Sequence, residues 1–153
     1  MKVCIGGTFN ILHKGHKLLI NKAFETAGKF GYVFIGITTG EIINKKGDVK
    51  SFKERKKTVE DYISKKKLSG HYLIKPIYDK YGPSLKEDFD AIVVSPETGP
   101  TAEEINKIRR QNSKKPLQII QIPFVLANDN IPISSSRIKN KEIDEEGMIP
   151  KRD

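Results

Sequence analysis

Residues 6–16 read GGTFNILHKGH. A short apolar run, KVCI (2–5), precedes this stretch, and KLLINKAFETAG (17–28) comes after it with apolar residues at helical spacing. A strand that passes through a glycine-bearing turn into a helix is the opening unit of an α/β sheet. In an open parallel sheet that turn lies beyond the carboxyl end of the strand, where ligands bind. The two histidines, His13 and His16, sit three residues apart in it, with Gly6 and Gly7 at its start.

Outward from this unit the alternation continues. YVFIGIT (32–38), HYLIKPI (71–77), AIVVS (91–95) and LQIIQI (117–122) read as strands: short, rich in Ile and Val, and bounded by Gly, Pro or polar residues. Several are apolar on both alternations, as strands covered on both faces are. Apolar residues recur at helical spacing over 16–28 (Leu19, Ala23, Ala27), over 52–68 (Val59, Tyr62, Ile63) and over 102–113 (Ala102, Ile105, Ile108). Gly28 and Gly70 stand where helix C-caps belong. The pattern predicts one Rossmann-like α/β domain over residues 1–153. Its sheet is open, five-stranded and mostly parallel, with helices on both faces. The polar stretch from about Glu142, EIDEEGMIPKRD, reads as a tail that frays.

The net charge of +9 is unevenly spread: residues 1–70 carry 15 Lys and Arg against 6 Asp and Glu, and residues 71–153 carry 13 of each. The excess therefore lies beside the double histidine, where a positive field attracts an anion such as a phosphorylated metabolite or a nucleic acid. The lysines of KERKK and SKKK themselves read as a solvated helix face. No apolar run is long enough to cross a bilayer, no leader pattern opens the chain, and the one cysteine, Cys4, has no partner for an internal disulfide. These features predict a soluble, cytoplasmic protein without a membrane role, and they leave open a monomer or a small homo-oligomer.

The turn after the first strand matches neither the dinucleotide fingerprint nor the P-loop. Its glycines allow close approach of the backbone to a ligand. His16 is expected to open the following helix, near the free N–H groups and positive dipole end that favour phosphate. A structural histidine pair or a partial metal site is the alternative, but no third His, Cys or acidic ligand stands nearby to complete a metal site.

GTFNILHKGH resembles the HxGH signature of the nucleotidyltransferase superfamily, whose second signature is similar to ISSSRI at 133–138. The closer resemblance, over nearly the whole chain, is to the phosphopantetheine adenylyltransferase family of the archaeal and eukaryotic type. It rests also on GITTGEIINKKG after the second strand, YDKYGPSLKEDFDAIVVSPET (78–98), INKIRRQN (105–112) and ISSSRIKNKEID. The resemblance implies ATP and 4'-phosphopantetheine as substrates, dephospho-coenzyme A and pyrophosphate as products, and Mg2+ held mainly by the phosphates of ATP, with no metal site on the protein. Two other HxGH enzymes, an FMN adenylyltransferase and a glycerol-3-phosphate cytidylyltransferase, are the alternatives. A basic RNA-binding module is a third, although no RNA motif or set of stacking aromatics supports it.

The resemblance also implies roles for particular residues. His16 would stabilise the α-phosphate, with His13 beside it and Gly7 in the turn below. Thr8 would bond the acceptor's phosphate, and the N–H of Phe9 would lie on the nucleotide side. A lysine after the second strand would clamp both phosphates; Lys45 and Lys46 are the candidates, and spacing slightly favours Lys46. Ser134, Ser135 and Ser136 would open a helix that cups the β- and γ-phosphates, with Arg137 either reaching them or pairing at the surface. Ser95, Glu97 and Thr98 end the fourth strand where the adenosine would lie, with Arg109 (or Arg110) one turn into the next helix. Tyr81, with Asp79 and Gly82, would line the pantetheine arm.

Overall fold

The computed structural model describes residues 1–44 and 48–150, the side chain of Asn44 excepted. Five strands form one sheet: β1 (Lys2–Gly7), β2 (Tyr32–Thr38), β3 (His71–Ile77), β4 (Ala91–Val94) and β5 (Gln118–Gln121). Their order is β3-β2-β1-β4-β5, and all four pairings are parallel, so the sheet is wholly rather than mostly parallel. The order reverses at β1, which pairs with β2 on one side and β4 on the other.

The strands bury both faces because both carry apolar side chains. On one face Val3, Ile5, Val33, Ile35 and Val93 pack with Leu19, Ile20, Ala23 and Phe24 of α1 (Lys14–Ala27) and Val59 and Ile63 of α3 (Phe52–Lys65). On the other, Cys4, Phe34, Ile77, Ile92 and Val94 meet Ala102 and Ile105 of α4 (Gly99–Gln111). Each fully buried aliphatic side chain contributes roughly 1.5–3 kcal/mol relative to exposure. The edge strand β3 exposes His71, Tyr72, Leu73 and Lys75 and carries Pro76, features that discourage pairing with another chain. Two short helices complete the described elements, α2 (Glu41–Asn44) and α5 (Ser135–Lys139), with a 3-10 turn at Gly82–Leu85.

Several expectations shift. Helix α1 begins at Lys14 rather than at His16, because His13 caps it. Helix α4 starts three residues early, at Gly99, with Pro100 in its first turn, where a missing N–H costs nothing. Gly28 does close α1, with φ of 82°. Gly70 closes no helix: α3 ends at Lys65, and Gly70 instead lies just ahead of β3, where a β-carbon would come 3.2 Å from the Gly28 carbonyl oxygen.

The segment from Glu142 does not fray up to Met148. Ile143 is buried with Ala127 and Ile133. Asn128 N–H donates to the Gly147 carbonyl, and Glu146 pairs with Lys14 and Lys17 of α1, 3.6 Å from each. Nor is KERKK all surface, since Arg55 is fully buried. It lies four residues before Val59, on the inward face of α3.

Candidate active site

A cleft of about 760 Å³ opens at the carboxyl ends of β1 and β4, where the strand order reverses. Gly7, Thr8, Phe9, His13 and His16 line one wall, and Ser134, Ser135 and Ser136 line the other. The two motifs, some 120 residues apart in sequence, therefore share one cavity.

The spacing of the two histidines is that of a capping box. His13 is the N-cap of α1, and its Nδ1 accepts a hydrogen bond from the Gly15 N–H at 3.0 Å. Three residues on, His16 Nδ1 accepts from the His13 N–H at 3.3 Å. The rings stack with centroids 3.9 Å apart, and Phe9 lies against His16 at 5.2 Å. Since both Nδ1 atoms accept from the backbone, each neutral ring carries its proton on Nε2. Burial pulls His13 down to about 4, helped by the charge of Lys17. Burial pulls His16 down to about 3; His13 adds to the shift and the Ile11 carbonyl opposes it. At neutral pH the free site thus holds two uncharged imidazoles, each with one N–H to donate.

The floor is a tight turn. Phe9 is buried with φ of 50°, in the left-handed region that a bulky residue seldom adopts. Such backbone strain is concentrated at functional sites. Thr8 Oγ1 lies 3.0 Å from Thr38 Oγ1 at the end of β2. At the end of β4, Ser95 N–H donates to Thr98 Oγ1 at 3.0 Å, and Ser95, Glu97 and Thr98 all border the cleft. Tyr81 and Gly82 border it too, whereas Asp79 accepts the N–H groups of both and so shapes the loop. Tyr81 OH donates to Glu104, which also pairs with Lys80 at 2.9 Å. Of the serines, Ser134 caps α5, its hydroxyl accepting from the Arg137 N–H at 3.3 Å.

Two expected nucleotide contacts are corrected. Arg109 is 2% exposed, and its guanidinium donates to the carbonyls of Lys115, Ser84 and Glu87, tying α4 to its neighbours rather than facing the cleft. Arg137 turns away from the serines: it pairs with Asp129 and Glu142 and donates to the carbonyls of Ile131 and Pro132. These contacts satisfy the surface-pairing alternative. Lys45 and Lys46 lie outside the described residues.

The structure adds three residues. Lys139 borders the cleft and donates to the Asp48 carbonyl at 2.7 Å. Asn10 is buried and bonds the segment 48–50 through Asp48 O and Lys50 N–H. Arg55 reaches the turn from below, donating to Thr8 O at 3.0 Å and Thr38 O at 2.7 Å. Helical spacing from Val59 marks Arg55 as inward-facing; nothing in the local sequence singles out Asn10 or Lys139. Among the described residues no group of three His, Cys, Asp or Glu is placed to hold a metal, and no helix is long and apolar enough to cross a membrane.

A parallel sheet with a histidine-bearing turn at its switch point is the frame of a nucleotidyltransferase, and the cytidylyltransferase-like family matches residues 4–141. A protein of Methanosarcina mazei named phosphopantetheine adenylyltransferase is 48% identical over 151 residues, covering 98% of this chain and 97% of that protein. One of the same name from Methanothermobacter thermautotrophicus is 43% identical, covering 98% and 90%. A crystal structure of an Archaeoglobus fulgidus protein described as of unknown function superposes with a TM-score of 0.72 at 35% identity, over 80% of this chain and 89% of that one. The chain belongs to the cytidylyltransferase-like family and, within it, to the phosphopantetheine adenylyltransferases.

Proposed function

We propose that the protein transfers AMP from ATP to 4'-phosphopantetheine, giving dephospho-coenzyme A and pyrophosphate. The observation that carries the chemistry is the stacked pair of imidazoles, each accepting a backbone N–H at Nδ1, that line one cleft together with the serine-led segment. A phosphate oxygen of the acceptor attacks the α-phosphorus of ATP, the new P–O bond forms, and the bond to the β-phosphate oxygen breaks as pyrophosphate leaves. The acceptor oxygen is already anionic, so no general base is needed. What the reaction requires is alignment of two anions and donors aimed at the charge that grows on the α-phosphate.

In this reading His16 donates to the α-phosphate and His13 to the triphosphate beside it, with the Gly7 turn beneath. Thr8 meets the acceptor's phosphate, Phe9 N–H faces the nucleotide, and Lys46 (or Lys45) clamps both phosphates. Ser135 and Ser136 meet the β- and γ-phosphates, and Lys139 adds a cation on their side. Ser95, Glu97 and Thr98 border the adenosine. Tyr81, with the apolar wall of Phe34 and Ile77, suits the uncharged pantetheine arm. In the same reading Mg2+ would enter with the nucleotide substrate, held mainly by its phosphates. The reading places the enzyme in the cytoplasm, and neither nucleic acid nor membrane enters it.

Pyrophosphate release with ATP or CTP against 4'-phosphopantetheine, FMN and glycerol 3-phosphate tests it. Turnover of ATP with 4'-phosphopantetheine alone is expected. Turnover only with FMN, or only with CTP and glycerol 3-phosphate, would overturn the assignment.

A further inference from the structure

Gly6 and Gly36 are partners in register near the carboxyl ends of β1 and β2. They differ in what keeps them as glycine. Gly36 is buried, and a β-carbon on it would come 2.8 Å from Ile77 Cγ2 and 3.1 Å from Ile77 Cδ1, so packing alone excludes a side chain. Gly6 is the one exposed residue of β1. Among the described residues, a β-carbon on it would meet only the Gly36 carbonyl oxygen and Ile77 Cδ1, each at 3.6 Å, an ordinary van der Waals distance. Nor is Gly6 among the residues with positive φ, so its backbone accepts a side chain. A glycine inside a strand weakens it, and an alanine that fits the same backbone stabilises by restricting the unfolded chain. The fold therefore favours a side chain at position 6. Its absence marks the close approach of something else, and the neighbouring strand leaves room, so that something is a ligand.

The surroundings say which part of a ligand passes there. Side chains alternate along a strand, so Gly6 shares a sheet face with Cys4, and Gly36 shares it with Phe34 and Thr38. That is the face covered by α4. Phe34, Ile77, Ile92, Val94, Ala102 and Ile105 belong to its core and also border the cleft, as does Gly6, so the cleft extends into an apolar lobe. Beyond the glycine pair, Thr38 Oγ1 and Thr8 Oγ1 stand 3.0 Å apart and begin its polar part. A triphosphate laid against the lobe would lose its water to carbon, whereas an uncharged group is at home there. The acceptor carries such a group beside its phosphate: the phosphate-bearing CH2 is bonded to a carbon with two methyl groups, a branched segment wider than a plain chain.

We propose that Gly6 is a specificity-determining residue: its missing side chain leaves the width in which the branched, uncharged segment next to the acceptor's phosphate lies. The proposal rests on the adenylyl-transfer reading of the site. It differs from a packing role because the space at Gly6 is open to the cleft, while the space at Gly36 is filled by Ile77.

Gly6→Ala and Gly36→Ala are compared with the wild-type protein in thermal melting and in steady-state pyrophosphate release. Gly6→Ala should melt at or above the wild-type temperature, and Gly36→Ala below it. At saturating ATP, Gly6→Ala is expected to lose about 10–100-fold in kcat/KM for 4'-phosphopantetheine, with KM for ATP close to the wild-type value. An acceptor analogue with hydrogens in place of the two methyl groups relieves the clash, so Gly6→Ala should use it about as well as wild type does. Four results would each overturn the proposal. Gly6→Ala could melt as low as Gly36→Ala, which would make the glycine a need of the fold. It could keep a normal kcat/KM for the acceptor, raise KM for ATP by the same factor, or lose as much with the analogue as with 4'-phosphopantetheine. A wild-type enzyme inert with ATP and 4'-phosphopantetheine would instead sink the adenylyl-transfer reading, and this inference with it.

Discussion

Gly15 sits so close beneath the ring of His13 that a β-carbon there would lie 2.8 Å from Cε1 and 3.0 Å from Nδ1. The glycine between the histidines is thus a steric requirement of the capping bond that orients His13. Gly15→Ala should displace the ring and weaken that bond. A displacement near 1 Å at a reacting group costs on the order of 10–100-fold in rate. Steady-state kinetics should show this loss in kcat, and a variant with normal kcat would mean that the ring position does not matter.

His16→Ala should lower kcat by about 10²–10³-fold with little change in KM, because the lost donor serves the transition state more than the ground state. His16→Gln, which keeps an N–H at similar reach, should recover part of the loss. Rapid-quench measurement of the chemical step distinguishes this from slower product release.

Both imidazoles titrate below the usual histidine value in the folded protein, at about 4 and about 3. Between those values and about 6.5 the unfolded chain binds protons that the folded one does not. Stability contributed by the neutral pair is therefore complete above pH 6.5 and falls as pH drops toward 3–4. Between pH 7.5 and 5.5 the two rings together should cost about 2–3 kcal/mol. Urea unfolding of wild type against a His13→Asn/His16→Asn variant reads this difference, and parallel pH curves for the two proteins would contradict it.

Arg137 is held by Asp129 and Glu142, and it raises the question of which neighbour it serves. Its hydrogen bonds with Asp129 depress the acid's pKa and raise its own. Arg137→Ala and Asp129→Ala should each lower Tm while leaving KM for ATP nearly unchanged. A large rise in that KM for Arg137→Ala alone would return the residue to the triphosphate.

The fold was legible because its signal is local: Val- and Ile-rich runs apolar on both faces, separated by helical spacings, demand a covered parallel sheet. The cleft was legible to the extent that its residues come in short motifs, as at His13, His16 and Ser134–Ser136. The arginines were not. Arg109 lay beside the expected adenosine site in sequence, but its side chain follows the inward stripe of α4 with Ala102 and Ile105 and ends on carbonyls. Arg55 was hidden in a lysine-rich run, where charge count outweighed the i, i+4 relation to Val59. The tail from Glu142 looked polar because Ile143 is its one buried hydrophobic side chain among the described residues, and one such residue leaves no periodicity to detect.

The wall that carries Ser134–Ser136 is secured from its carboxyl-terminal side, by the Asp144–Met148 turn and by the ion pairs of Glu146 with α1. In a chain emerging from the ribosome, the histidines of the cleft therefore precede its serine wall by some 120 residues. Under the proposed function, an amino-terminal fragment that ends before residue 134 would carry the imidazoles without the wall proposed for the β- and γ-phosphates.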